Sequence, residues 1–416
     1  MAEASGTRRR EAGMPFILVT VLLDMVAIGL IVPVLPLIVG RFTASPTEQT
    51  FWFGAVTFTF GVANFFASPI LGALSDRYGR RPVLLLGFCG LATSFIVTGL
   101  ATALWMLIAV RLVSGAMQAN AAVANAYVAD ITAPADRARR FGLLGAMFGI
   151  GFILGPAMGG LLGAIDIHLP FFAAGTLAIA NWLYGFFVLP ESLPPERRRA
   201  FEWRRANPFA ALRPLGALKG VGPLIAVIAL ANLAQFTLHS SWVLHNTFKF
   251  GWGPAENGWS LFVVGVMSAL VQGVLLRHLL KRFSPQRLAT VGLIASALTY
   301  LGFGLATQGW MIFAVIVVGT LLGGGAQAAI QSLVSNAADA HSQGQTAGSV
   351  ASLTSLMAVL APTIAAPLLG IVSHLPRGDM RIGLPFFFCA LLQAAGAIIA
   401  FLHFRRQRAG HAPATA

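Results

Sequence analysis

Apolar segments of about twenty residues recur from one end of this chain to the other, and that recurrence leaves few folds open. A hydrocarbon layer ~30 Å thick is crossed by about 20 helical residues, whereas barrel strands need about ten with strict alternation. Twelve segments have the helical length: 14–40, 51–74, 82–102, 104–130, 141–164, 169–190, 221–246, 257–280, 288–306, 309–335, 345–373 and 383–404. Backbone amides inside such a segment must be satisfied within it, so each is expected to be an α-helix. With 57% hydrophobic and only 10% charged residues, the 416-residue chain reads as an all-α integral membrane protein.

The net charge of +14 invites a nucleic-acid reading, but its distribution argues against one. Of 28 Lys and Arg, 23 fall at 8–10, 77–81, 137–140, 197–219, 277–287 and 405–408, which are alternate loops or tails. The opposite loops hold only Arg41, Lys249, Arg377 and Arg381. That asymmetry predicts an even number of spans and both termini in the cytoplasm, and it excludes nucleic acid as a partner. Arg8-Arg9-Arg10 before an apolar run has the look of a signal peptide, yet the run is long and carries prolines, so an uncleaved first helix is expected. Cys89 and Cys389 lie within spans far apart in the chain and are expected to stay unpaired.

Ionisable groups at membrane depth are functional candidates. Asp24 lies roughly 15 Å into the first span, and the other thirteen acidic residues read as loop, tail or helix-end positions. Arg111, in the fourth span, is about eight residues from the end of its helix, again near mid-depth. The later spans hold no acid at that depth; their interior polar residues are Asn232, Gln235, His239, Gln272, Gln327 and Gln331. Asn232, Gln235 and His239 follow i, i+3, i+7 spacing and share a helix face, while Gln327 and Gln331 are one turn apart. With Asn120 of the fourth span, these neutral groups suit a cavity for a mostly hydrophobic, polar-decorated small molecule. No nucleophile–base pair, metal cluster or phosphate-cradling loop is recognisable, so neither catalytic nor metal-binding residues are assigned.

Two stretches carry a family resemblance. The second span ends in Gly72-Ala73-Leu74-Ser75-Asp76-Arg77-Tyr78-Gly79-Arg80-Arg81-Pro82, which resembles the signature loop of the major facilitator superfamily of transporters. Gly79 permits a tight turn, while Asp76, Arg77, Arg80 and Arg81 supply charge for pairing or lipid headgroups. In the fourth span, Arg111 followed four residues later by Gly115 is similar to another motif of that superfamily. The resemblance implies its fold: two six-helix halves related by a pseudo-two-fold along the membrane normal, here 1–190 and 220–416, with 191–219 as cytoplasmic linker. It also implies that Arg111 and Asp24 line one cavity, with Arg111 setting the carboxylate's proton affinity. Asp76, Arg80 and Asp130 would close the cytoplasmic side. The second half repeats the first with erosion: Gly273 to Phe283 stands where the loop stood, and Ala361-Pro362 where Gly155-Pro156 stands.

In the fifth span, Gly151-x-x-x-Gly155-Pro156-x-x-Gly159-Gly160 resembles the superfamily motif associated with exporters. Small residues four apart also offer a smooth face for a neighbouring helix. The run Leu23 to Pro36, Asp76 to Leu86 and Phe141 to Gly160 are similar to the tetracycline-resistance branch of the drug–proton antiporters. That branch carries further buried charge at positions that are Ser94, Ser268 and Ser296 here. The implied function is proton-coupled efflux of a small, largely hydrophobic compound by a monomer in the bacterial cytoplasmic membrane, in contact with lipid. No cofactor is expected beyond the coupling proton. A uniporter or importer of a metabolite, or a non-transporting membrane receptor, are the alternatives.

Overall fold

The computed structural model describes residues 13–118, 120–133, 136–202, 207–209, 222–336 and 343–410. Among these, all regular structure is helical, and twelve helical stretches are long and apolar enough to cross a membrane. The helices are α1 (Gly13–Ile31), α2 (Leu35–Gly40), α3 (Pro46–Tyr78), α4 (Arg80–Gly99), α5 (Leu104–Met117), α6 (Asn120–Ile131), α7 (Arg137–Ile165) and α8 (Leu169–Val188). They continue with α9 (Gly222–Phe250), α10 (Pro254–Leu270), α11 (Leu276–Arg282), α12 (Pro285–Leu305), α13 (Gly309–Gly323), α14 (Ala326–Asn336), α15 (Gln343–Val372) and α16 (Leu384–Gly410). The linker proposed for 191–219 falls partly outside the described residues.

Three spans are interrupted, each for a local reason. Pro33 has no N–H to give the Gly29 carbonyl, so Val32 N–H donates to it instead at 3.2 Å and the helix tightens out of register. Pro36 then lies in the first turn of α2, where a missing donor costs nothing. The fourth span breaks at Gln118, and the tenth at Gly324-Gly325. Between α10 and α11 the chain makes one turn of π-helix, Val271–Leu275. Val271 packs at the Gly324 break, where a Cβ would lie 2.8 Å from its Cγ1.

The chain divides into two compact units, one of Met1–Ser45, Ala55–Pro208 and Gly253–Gly265, the other of Pro46–Gly54, Phe209–Trp252 and Val266–Ala416. The start of α10 joins the first because Gly258 sits against Gly160 of α7, and the start of α3 joins the second because Gly54 sits against Ala366 of α15. In the first unit α1 packs on α7 and α8, and α4 packs on α8, α5 and α6. The second unit uses the same pairings one repeat later: α9 on α15 and α16, and α12 on α16, α13 and α14. Its core gathers Val227, Ile228, Leu293, Ala329 and Ile330, while the first centres on Ile17, Leu84, Phe88, Tyr127 and Val128. Large apolar side chains such as Trp105, Ile165, Phe187 and Leu391 are exposed, as lipid-facing positions require.

Candidate functional site

Asp24 is buried in α1, 6% exposed. Its carboxylate has no ion pair or hydrogen bond among the described residues. It lines a small cavity with Thr20 of its own helix, Leu84 and Phe88 of α4, Ala124 of α6 and Phe148 of α7. The space for a water centre is about 10 Å³, about what one water needs. Thr20 Oγ1, one turn away, is also buried without a partner among the described residues. Asn181 of α8 fixes that turn by donating from Nδ2 to the Thr20 carbonyl at 3.0 Å. The cavity is therefore lined by two polar side chains, Asp24 and Thr20, in an otherwise apolar wall, with room for about one water and no countercharge among the described residues.

Arg111 is equally buried, 5% exposed, but the structure does not bring it to Asp24: no ion pair within 4 Å joins them, and the guanidinium Nε has no partner among the described residues. The two buried groups expected to line one cavity thus make no direct contact. α5 packs on α4, and Gly115 lies against the Phe60 carbonyl of α3. It is α6, the continuation of the same span after its break, that packs on α1.

The motif at the end of α3 forms a cluster within the first unit. Arg80 pairs through Nη1 with Asp76 at 2.6 Å and through Nε with Asp130 at 3.0 Å, and Nη1 also donates to Ser75 Oγ at 2.6 Å. The sequence grouping of Asp76, Arg80 and Asp130 is thus one constellation, with its cation 8% exposed. Gly79 adopts φ +106°, a backbone open to glycine. Arg81 donates through Nη2 to the Phe186 carbonyl, and Arg77 lies over the Tyr78 ring. A Cβ at Gly72 would meet nothing within 4 Å among the described residues. Glu191, which carried no sequence signal beyond being a loop acid, binds the amides of Arg80 and Arg81. Tyr127 donates to the Pro190 carbonyl at 2.9 Å and ties the same segment to α6.

The glycines of α7 form the seat of α1. Gly151 lies against Met25, Gly155 against Gly29, and Gly159 against the Leu30 carbonyl; a Cβ on Gly155 would come 2.6 Å from the Gly29 Cα. Pro156 packs on Gly29 from the same face, and Gly160 meets Gly258. This contact sets the position of α1, and so of Asp24, to within a methyl group.

In the second unit the polar residues sort into two groups. Asn232 is buried and used up between helices, donating to Thr354 Oγ1 at 3.2 Å and accepting from Gln327 Nε2 at 3.3 Å. Gln235 lies 2.8 Å from His239 through Nε2, and its Oε1 accepts from the Tyr300 hydroxyl at 2.9 Å. His239, Gln272, Gln327 and Gln331 are exposed, with Gln272 inside the π-turn. Asn120 opens α6, but its side chain lies outside the described residues. Sequence reasoning missed Tyr300 and Thr354, which look like ordinary apolar-helix residues until their helices are placed. It also counted Lys249 as a loop cation. The structure extends α9 to Phe250, buries Lys249 and bonds its Nζ to the Gly304 carbonyl at 2.6 Å. Both cysteines are free; Cys389 is buried and Cys89 exposed.

The three serines bring no charge to their positions. Ser94 is buried with a hydroxyl that has no partner among the described residues, and Ser268 is half-buried. Ser296 donates to the Gly292 carbonyl at 2.9 Å and lies against Gly323, where a carboxylate would push α13 away.

Known proteins show the same architecture. The chain is similar to the class C tetracycline resistance protein of Escherichia coli, 39% identical over 348 residues, covering 84% of this chain and 87% of that one. It is 37% identical to the class D protein of Salmonella ordonez over 348 residues, covering 83% and 87%. The crystal structure of the human organic anion transporter MFSD10 superposes with a TM-score of 0.69 over 94% of this chain and 99% of that one, at 22% identity. The profile of the Major Facilitator Superfamily matches residues 17–362. The chain is a multi-pass membrane transporter belonging to the major facilitator superfamily.

Proposed function

We propose that this transporter exports a small, largely hydrophobic drug or drug-like compound, tetracycline-like molecules included, in exchange for protons by alternating access. Its place is the bacterial cytoplasmic membrane, with both termini and the Asp76–Arg80–Asp130 cluster on the cytoplasmic side. Relatives that are 37–39% identical over more than four fifths of the chain are tetracycline resistance proteins, and the exporter-type glycine motif sits where α1 and α7 meet.

One observation carries the reading: a buried carboxylate with no countercharge beside a cavity sized for about one water. Such a group binds and releases a proton without breaking an ion pair, and a water between Asp24 and Thr20 would connect it to a proton source. Arg111 then acts on Asp24 through the shared half rather than by contact. The Asp76–Arg80–Asp130 cluster holds the cytoplasmic end of the first half together, and the exposed His239, Gln272, Gln327 and Gln331 supply polar contacts to the substrate.

The test compares wild type with Asp24→Asn in membrane vesicles, following tetracycline movement driven by an imposed pH gradient. The variant is expected to insert and to bind the drug while losing gradient-driven efflux. Efflux that survives in Asp24→Asn refutes the assignment.

A further inference from the structure

We propose that His239 is a fixed hydrogen-bond donor on the substrate-facing wall, its tautomer set by Tyr300 through Gln235, and that it selects substrates presenting an acceptor oxygen such as a carbonyl, enolate or phenolate. The proposal rests on the transport reading above and names the chemistry that the second unit recognises.

Hydrogen-bond direction runs through three side chains. A carboxamide oxygen carries no proton, so at the 2.9 Å contact Tyr300 must donate and Gln235 Oε1 must accept. That contact turns the other end of the amide, Nε2, toward His239 Nε2 at 2.8 Å. An amide nitrogen only donates, so the ring nitrogen opposite must offer a lone pair. The imidazole is then neutral and carries its one proton on Nδ1.

Nδ1 has no partner among the described residues, and His239 is exposed on α9. The two ring nitrogens point apart, so the N–H faces away from the relay. Phe236 meets the ring edge-on at 6.3 Å and gives the donor an apolar flank. An imidazolium would set an Nε2 proton against the Gln235 amide protons, so the relay disfavours a charged ring. A lone neutral donor beside an aromatic surface gains nothing from a cation without acceptors. It gains a hydrogen bond from a planar apolar body with an oxygen on its edge.

Tyr300 is itself held, 5% exposed on α12. Gln235 and His239 are one turn apart on α9, so the relay spans two helices of one unit. Tyr300 and Gln235 are therefore positioning residues, and His239 is the group that touches substrate.

Full-length protein carrying 15N-labelled histidine tests the tautomer with no ligand present. The His239 signals, identified by difference against His239→Asn, are expected to show a protonated Nδ1 and an unprotonated Nε2. Tyr300→Phe is expected to release the amide and mix the two tautomers. A protonated Nε2 in wild type overturns the proposal. It would mean the Gln235 amide is turned over and the Tyr300 proton is passed to Gln393, whose Oε1 is buried without a partner among the described residues.

Binding, read by quenching of intrinsic tryptophan fluorescence, supplies the second arm with two probes: tetracycline, with acceptor oxygens along one edge, and ethidium, a planar cation with none. His239→Phe keeps the ring and loses the donor, and is expected to weaken tetracycline about tenfold while His239→Asn, which keeps an N–H near Nδ1, stays within about threefold. Ethidium binding is expected to be unchanged in both. Equal losses for the two probes, no loss for tetracycline, or a wild type that fails to bind tetracycline overturn the assignment. Failure of the transport reading looks different: wild type would show no gradient-driven efflux while the tautomer and the binding differences remained.

Discussion

Glu191 is the residue whose removal tests how the first unit's end is held. α4 begins at Arg80 after Gly79, whose φ of +106° and lack of a side chain leave the helix with no cap of its own. The first amides of a helix have no partner within it and need one from elsewhere. Glu191 supplies it from 111 residues downstream: Oε1 accepts from Arg80 N at 2.8 Å, and Oε2 from Arg81 N at 3.2 Å. The same Oε1 accepts from the amides of Ser192 and Leu193, each at 3.0 Å, so one carboxylate joins the helix start to its own loop. Amide bonds to an ion contribute about 1.5–3 kcal/mol each, but Glu191 is exposed and the lower end applies. Glu191→Ala should therefore cost the helix start about 2–3 kcal/mol, and Glu191→Gln, which keeps one acceptor but turns an NH₂ toward Arg81, about 1 kcal/mol. At about 1.4 kcal/mol per tenfold, local opening in the alanine variant rises roughly 30–140-fold. Hydrogen exchange of residues 79–83 in lipid nanodiscs reads this directly, with 284–290 of the second unit as an unaffected control. Unchanged protection at 79–83 in Glu191→Ala would refute the reasoning, because the two charge-assisted bonds to the Arg80 and Arg81 amides cannot vanish from the helix start without a trace.

Two further perturbations probe the same unit. Gly159→Ala places a methyl group against the Leu30 carbonyl, which must push α1 from α7; membrane insertion is expected to persist while efflux falls about tenfold or more, and wild-type efflux in this variant would show that the contact is not needed. Tyr127→Phe removes the 2.9 Å bond to the Pro190 carbonyl from a fully buried ring and should cost about 1 kcal/mol, seen as faster exchange at 189–193; combined with Glu191→Ala its effect should fall short of additive, and strict additivity would separate the two contacts.

What the sequence revealed and what it hid divide along a physical line. Hydropathy and rise per residue fix where a side chain lies along the membrane normal, and on that axis the reading of twelve spans agrees with the structure. Depth alone does not give azimuth. Asp24 and Arg111 share a depth by counting, yet they make no pair, because each successive helical residue turns by about 100° and the neighbour on that bearing depends on packing. Asp76, Arg80 and Asp130 were legible together through the family resemblance, and the Arg80 guanidinium joins both carboxylates. Glu191 was not, since nothing in a polar loop says which distant amides it will reach. The breaks follow the same division. Pro33 announces itself by lacking a donor, whereas the π-turn at Val271–Leu275 has no residue that demands it and arises where Val271 packs into the gap at Gly324.

That division also explains why the glycines of α7 matter more than their chemistry suggests. The carboxylate proposed to carry the proton has to sit at one depth and on one bearing. Its depth follows from the length of α1, but its bearing is set by what α1 leans on. Gly151, Gly155 and Gly159 let α1 approach until backbone meets backbone, which leaves little freedom for α1 to rotate about its axis. With that face of α1 turned to α7, Asp24 points toward α4 and α6, into the cavity with Phe88 and Ala124. Larger side chains at those glycines would let α1 turn or shift, moving the carboxylate to another wall without altering a single residue of the cavity. The exporter-type motif and the mid-membrane acid, two separate signals in the sequence, are thereby one device, the first serving to aim the second.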